Sequence, residues 1–126
     1  MKLTSAIGFV IVVLGASAAS AGYVGNKSDW DVMSDVQRQA YAMGAFDIWA
    51  QTDADAETLT YKKDIFDCAS GLSLDSDQLV QVINAEYGDL SSWELPPFSV
   101  MLSGLRKVCL AHVNRARAER GDAPLQ

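Results

Sequence analysis

From Phe98 to His112 the apolar residues return every three or four positions: Phe98, Met101, Leu102, Leu105, Val108, Cys109 and His112. That spacing draws one stripe along an α-helix and does not fit a strand, whose faces alternate at every second residue. Pro96 and Pro97 stand where a helix begins, because a first turn has no use for their missing N–H groups. The run turns basic toward Arg120, which complements the helix dipole, and Gly121 stops it. A helix with an apolar stripe is stable only when other elements cover that stripe. The rest of the chain is therefore constrained to supply helices that pack on this one.

It supplies three more. Ser34 with Gln37 three residues on reads as a capping box, and a first long helix runs from there to about Gln51. Its apolar positions, Val36, Ala40, Tyr41, Met43, Ile48 and Trp49, cover more than one face, which predicts a central helix. Gly44 weakens the middle of that helix, so the expectation is that it permits close packing. A second helix spans about Thr58 to Ser70, with Leu59, Phe66 and Ala69 on one face, Ile65, Cys68 and Leu72 beside it, and Gly71 as the C-cap. A third starts at Asp75 with Gln78 as its capping partner. Leu74 and Leu79 form its hydrophobic staple, Leu79, Val82, Ile83 and Tyr87 form its buried stripe, and Gly88 ends it. No segment alternates convincingly as a strand, and no repeat or low-complexity tract interrupts the pattern. The expected fold is all-α: a compact bundle of about four helices in a single domain, residues 22–126.

The N-terminus has the form of a secretory signal. Lys2 is its charged region, Ile7 to Leu14 its apolar core, and Ala19-Ser20-Ala21 the small-x-small site that signal peptidase cleaves. The core is too short for a membrane span, which needs about 20 residues. The expected mature protein is soluble and periplasmic, with cleavage near Ala21 and no stable membrane insertion afterwards. Export bears on the two cysteines. Cys68 and Cys109 are the only ones, and an even count in an oxidising compartment predicts a disulfide. Within one chain a single pairing exists; a free thiol pair and a bridge between chains are the alternatives. Each cysteine lies on an apolar stripe, so the intramolecular bond would tie the end of the second helix to the middle of the last.

Charge is segregated along the chain. From Ser28 to Glu94 fourteen acidic residues face only Arg38, Lys62 and Lys63, whereas after Leu95 five arginines and lysines face only Glu119 and Asp122. An acidic body argues against nucleic acid and favours a basic protein partner. The break between the first two helices, Thr52 to Glu57, concentrates this charge. Asp53, Asp55 and Glu57 alternate there with alanines and are the candidate partner-binding residues, because loops carry contacts that packing does not need. Solvated, helix-capping acids are the plain alternative for the same three residues.

Catalytic and metal chemistry find little footing. The single histidine, His112, lies on the apolar stripe of the last helix without evident partners. One histidine and two cysteines do not make a zinc site of usual spacing. Asp53, Asp55 and Glu57 match positions 1, 3 and 5 of a calcium loop, but Thr58 replaces the glycine of position 6 and Asp64 the glutamate of position 12. There is no GxSxG, phosphate loop or HExxH. The chain reads as a non-enzyme with no cofactor.

The order of segments resembles the Tai immunity proteins of type VI secretion. Tyr41-Ala42-Met43-Gly44-Ala45-Phe46-Asp47 is similar to that family's Y-x-x-G-x-x-D on its first long helix. Asp67-Cys68-Ala69, then Asp77 to Ile83 (DQLVQVI), resembles its cysteine followed by Q-L-V-x-V-V. Pro96-Pro97, Met101-Leu102, Leu105 and Val108-Cys109 resemble its closing helix. Two departures stand out: Ala69-Ser70-Gly71 follows the first cysteine in place of a proline or short polar turn, and the last helix continues to Arg120. The resemblance implies a helical fold bridged by Cys68 and Cys109, and a protein that binds and inhibits a secreted cell-wall hydrolase effector. Such hydrolases are often basic, which would suit the acidic body. A second reading is an acid-stress chaperone like the Hde proteins, small, helical and exported with two cysteines. Its trigger would be protonation of the sixteen carboxylates. The order of motifs does not match that family. A third is a helical exported domain with neither role.

Overall fold

The computed structural model describes residues 23–126; the signal-like segment and the cleavage site expected at its end lie outside them. The described chain is all-helical: α1 (Lys27–Asp31), α2 (Asp35–Gln51), α3 (Ala56–Gly71), α4 (Ser76–Glu86), a 3₁₀ turn (Leu90–Ser92) and α5 (Pro97–Arg120). The helix starts are set by local chemistry. Ser34 and Gln37 exchange hydrogen bonds as a capping box on α2, and Asp75 and Gln78 do the same on α4. Pro97 opens α5, and Gly121 closes it with φ 81°, a left-handed conformation that costs glycine nothing.

The central helix is α5 and not α2. It packs against α3, α4 and α2, the last meeting Phe98 near its start. Its buried residues are Pro97, Val100, Met101, Gly104, Leu105, Cys109 and Val113, a broad band, because it has neighbours on several sides. Val108 falls between them and stays exposed. On α2 only Ala42 and Phe46 are fully buried; Val36 and Ile48 are exposed, against the expectation of a helix covered all round. The close approach likewise belongs to Gly104. A Cβ built there would overlap Val82 Cγ1 and sit 3.0 Å from Glu86 Cγ, whereas one at Gly44 meets nothing within 4 Å. Glu86 then seals the α4–α5 edge, accepting from Ser103 Oγ and from Lys107 Nζ.

Cys68 and Cys109 are bonded, S–S 2.06 Å, across the α3–α5 contact. Both cysteines are buried in the core cluster that also holds Ile65, Ala69, Leu105 and Val113. On α3 the buried set is Lys62, Asp64, Ile65, Cys68 and Ala69, so Leu59, Phe66 and Leu72 lie toward its exposed side. Asp64 is buried because Arg120, from the far end of α5, holds both its oxygens at 3.1 and 2.7 Å. Gly71 is not the C-cap. The helix ends one residue later in a Schellman motif, Leu74 N–H to Ala69 O and Ser73 N–H to Ser70 O, and Ser73 takes the left-handed position at φ 54°.

The polar lead-in contains α1, a single turn that brings Trp30 into the core. Trp30 is fully buried, its Nε1 donates to Asn84 Oδ1 at 2.8 Å, and Tyr41 meets its ring edge-on at 5.9 Å. Arg38 lies over the same ring while its guanidinium donates to the carbonyls of Trp30 and Asp31. Lys27 N–H bonds Trp93 O, which fastens α1 to the chain before α5.

Candidate protein-binding surface

The acids of the α2–α3 break do not form one free cluster. Asp55 is the N-cap of α3, and its carboxylate accepts from Thr58 N at 2.9 Å and Thr58 Oγ1 at 2.8 Å. Those bonds hold its pKa below the ordinary aspartate value. Asp53 is exposed, and Glu57 is exposed in the first turn of α3. The first residue of the break, Thr52, meets a buried cation. Lys62 Nζ donates to Thr52 O at 2.7 Å and sits 5.7 Å above the Trp49 ring, so the acidic corner is braced from beneath by a lysine. Glu57 also faces a groove between α3 and α5, with Thr58, Tyr61, Arg106, Arg117 and Leu125. Among the described residues no three histidine, cysteine or acidic side chains converge as a metal site, and no helix is long and apolar enough to cross a membrane. His112 is half-buried on α5.

An apolar surface that the sequence reading did not single out lies on α2. Positions Val36, Ala40, Gly44 and Ile48 recur every four residues and so share one face. That face is uncovered because α2 turns its Ala42 and Phe46 inward. Beside it, Ala40, Tyr41, Gly44, Ala45 and Ile48 together with Phe98 of α5 line a groove of about 410 Å³. Val36 is 74% and Ile48 70% exposed, values that core-facing residues never reach. Asp35 and Asp47 flank the stripe along the helix, and neither enters an ion pair among the described residues. The arrangement is an apolar strip with uncompensated negative charge at its margins. Polar-rimmed apolar surface of this kind marks contact with another macromolecule. Tyr41 anchors the groove from the core side, and burial pushes its phenol above the ordinary tyrosine pKa.

The groove could have been found from the sequence by weighing the four-residue recurrence of Val36, Ala40, Gly44 and Ile48 against the inward set Ala42 and Phe46. Compared with protein-family models, curated proteins and solved structures, the chain matches none.

Proposed function

We propose that this protein is a periplasmic, non-enzymatic binding protein of the immunity type, which docks a basic secreted cell-wall hydrolase on the α2 face and blocks it. The observation that carries the reading is the position of Tyr41 and Gly44. Both belong to the Y-x-x-G-x-x-D segment of the resemblance, and both line the uncovered groove, with Asp47 of the same segment one turn on. Gly44 has open space over it, so a side chain from a partner can lie against the backbone there. The acidic corner at Asp53 and Glu57 adds long-range attraction for a basic surface, which raises the association rate more than the final affinity.

The test uses the mature chain as bait in a periplasmic extract, beside the double variant Gly44→Lys, Ile48→Lys. A side chain built at Gly44 meets nothing within 4 Å and Ile48 is exposed, so the variant keeps the helical circular dichroism of the parent. The expected result is a basic cell-wall hydrolase retained and inhibited by the parent and released by the variant. Equal retention by both proteins would refute the assignment of the contact to α2. With the α2 face intact, the pair Asp53→Asn, Glu57→Gln slows association at low salt and flattens its salt dependence.

A further inference from the structure

After Gly121 the chain turns back along α5, and residues 122–126 lie in the groove between α3 and α5. Four contacts to Ala123–Gln126 are of one kind. Arg117 Nε donates to Ala123 O at 2.6 Å, Asn114 Nδ2 donates to Leu125 O at 3.1 Å, Leu125 N–H donates to Asn114 Oδ1 at 2.7 Å, and Arg106 Nη2 donates to Gln126 O at 2.7 Å. Every one of these bonds reads main-chain atoms. Asn114 pairs with both the N–H and the C=O of a single residue, as an amide side chain can when it meets an extended strand edge-on. The only side chain of the segment that is drawn in is Leu125, half-buried against the core. Pro124 keeps Ala123 extended. Arg106 and Arg117 both give guanidinium donors to main-chain oxygens of the segment.

We propose that this groove is a binding site for an extended peptide segment of another protein, and that Ala123–Gln126 occupies it as an internal stand-in. The stand-in defines the ligand. It is extended, it places a leucine-sized residue in the pocket beside Tyr61, and it presents an acceptor to Arg106 at the following position. The site lies on α3 and α5, apart from the α2 groove, and stands whether or not α2 binds a hydrolase.

The probe is a fluorescein-labelled peptide with the sequence of the segment itself, Gly-Asp-Ala-Pro-Leu-Gln, followed by polarisation on the full chain. A tethered segment competes at an effective concentration in the millimolar range, so the parent binds the probe weakly. Leu125→Ala loosens the stand-in and is expected to raise the apparent affinity roughly tenfold or more. Adding Asn114→Ala to Leu125→Ala abolishes that gain. Leu125 is peripheral, so circular dichroism of the variant should match the parent. Probe binding that is the same for parent and Leu125→Ala, or that persists without Asn114, overturns the proposal. Dimerisation of the parent through exchanged returning segments, seen by size-exclusion chromatography, also overturns it by giving the groove to a second copy.

Discussion

Two glycines in helix interiors respond to the same substitution with opposite sign. Glycine inside a helix costs about 1 kcal/mol against alanine, because the unfolded chain loses more freedom there. At Gly44 nothing lies within 4 Å of an added Cβ, so Gly44→Ala collects that gain without a steric charge. For a domain of roughly one hundred residues, 1 kcal/mol corresponds to about 4–8 °C in Tm. At Gly104 the added Cβ overlaps Val82 Cγ1 and presses on Glu86 Cγ at 3.0 Å. Val82 is β-branched and fixed on α4, so relief requires the two helices to part. Overpacking of this kind costs about 1–3 kcal/mol, which outweighs the propensity gain. Thermal unfolding by circular dichroism of the two single variants is expected to show Gly44→Ala above the parent and Gly104→Ala below it. If both rise together, α4 and α5 are not in the contact described. If both fall, α2 is covered at Gly44 and the exposed face is wrong.

Three further outcomes follow from the same geometry. The Cys68–Cys109 bond spans a sequence separation of 41. In the chain-entropy account a loop near that size is worth about 4 kcal/mol, so Cys68→Ala with Cys109→Ala should lower stability by about 2–5 kcal/mol in urea titration, and an unchanged midpoint would contradict it. Ser73 holds a left-handed conformation that glycine adopts freely, so Ser73→Gly should stabilise by up to about 1 kcal/mol in the same titration. Tyr87 donates its hydroxyl to Leu95 O at 2.8 Å, and burial pushes its pKa up to about 12. Its folded value lies above the unfolded one, near 10, so its contribution is complete below pH 10 and is lost as pH rises toward 12. Tyrosinate absorbance and helicity should change together in that window, and Tyr87→Phe should remove this share of the alkaline loss.

How legible the fold was depended on how local its causes are. Caps at Ser34, Asp75 and Gly121 are decided by residues three positions apart, and they stand where the sequence puts them. The rank of the helices was not local. α2 carries apolar residues around its circumference, so periodicity could not say which face was inward, and α5 proved central. Lys62 and Asp64 look like surface charges until Thr52 and Arg120 are known to lie over them, the latter 56 residues away. Trp30 sits in a segment too short to show a period. At the acidic corner, the pattern Asp53, Asp55, Glu57 was plain, but only the fold shows that Asp55 is engaged in capping. The returning segment had one cue, Leu125, an apolar residue beyond a helix stop and a proline.

The covalent link between α3 and α5 also changes how the chain carries force. Pulled from its two ends, the protein passes tension directly from Cys68 to Cys109, and α4 lies outside that path. With the sulfurs joined, the fully stretched chain should fall short of the reduced one by roughly 140 Å, at about 3.5 Å for each of the 41 residue steps bypassed. A cut between Gly88 and Leu95 would likewise leave two fragments travelling as one until a reductant is added. To an optical trap or a protease this small bundle behaves as a ring with two arms.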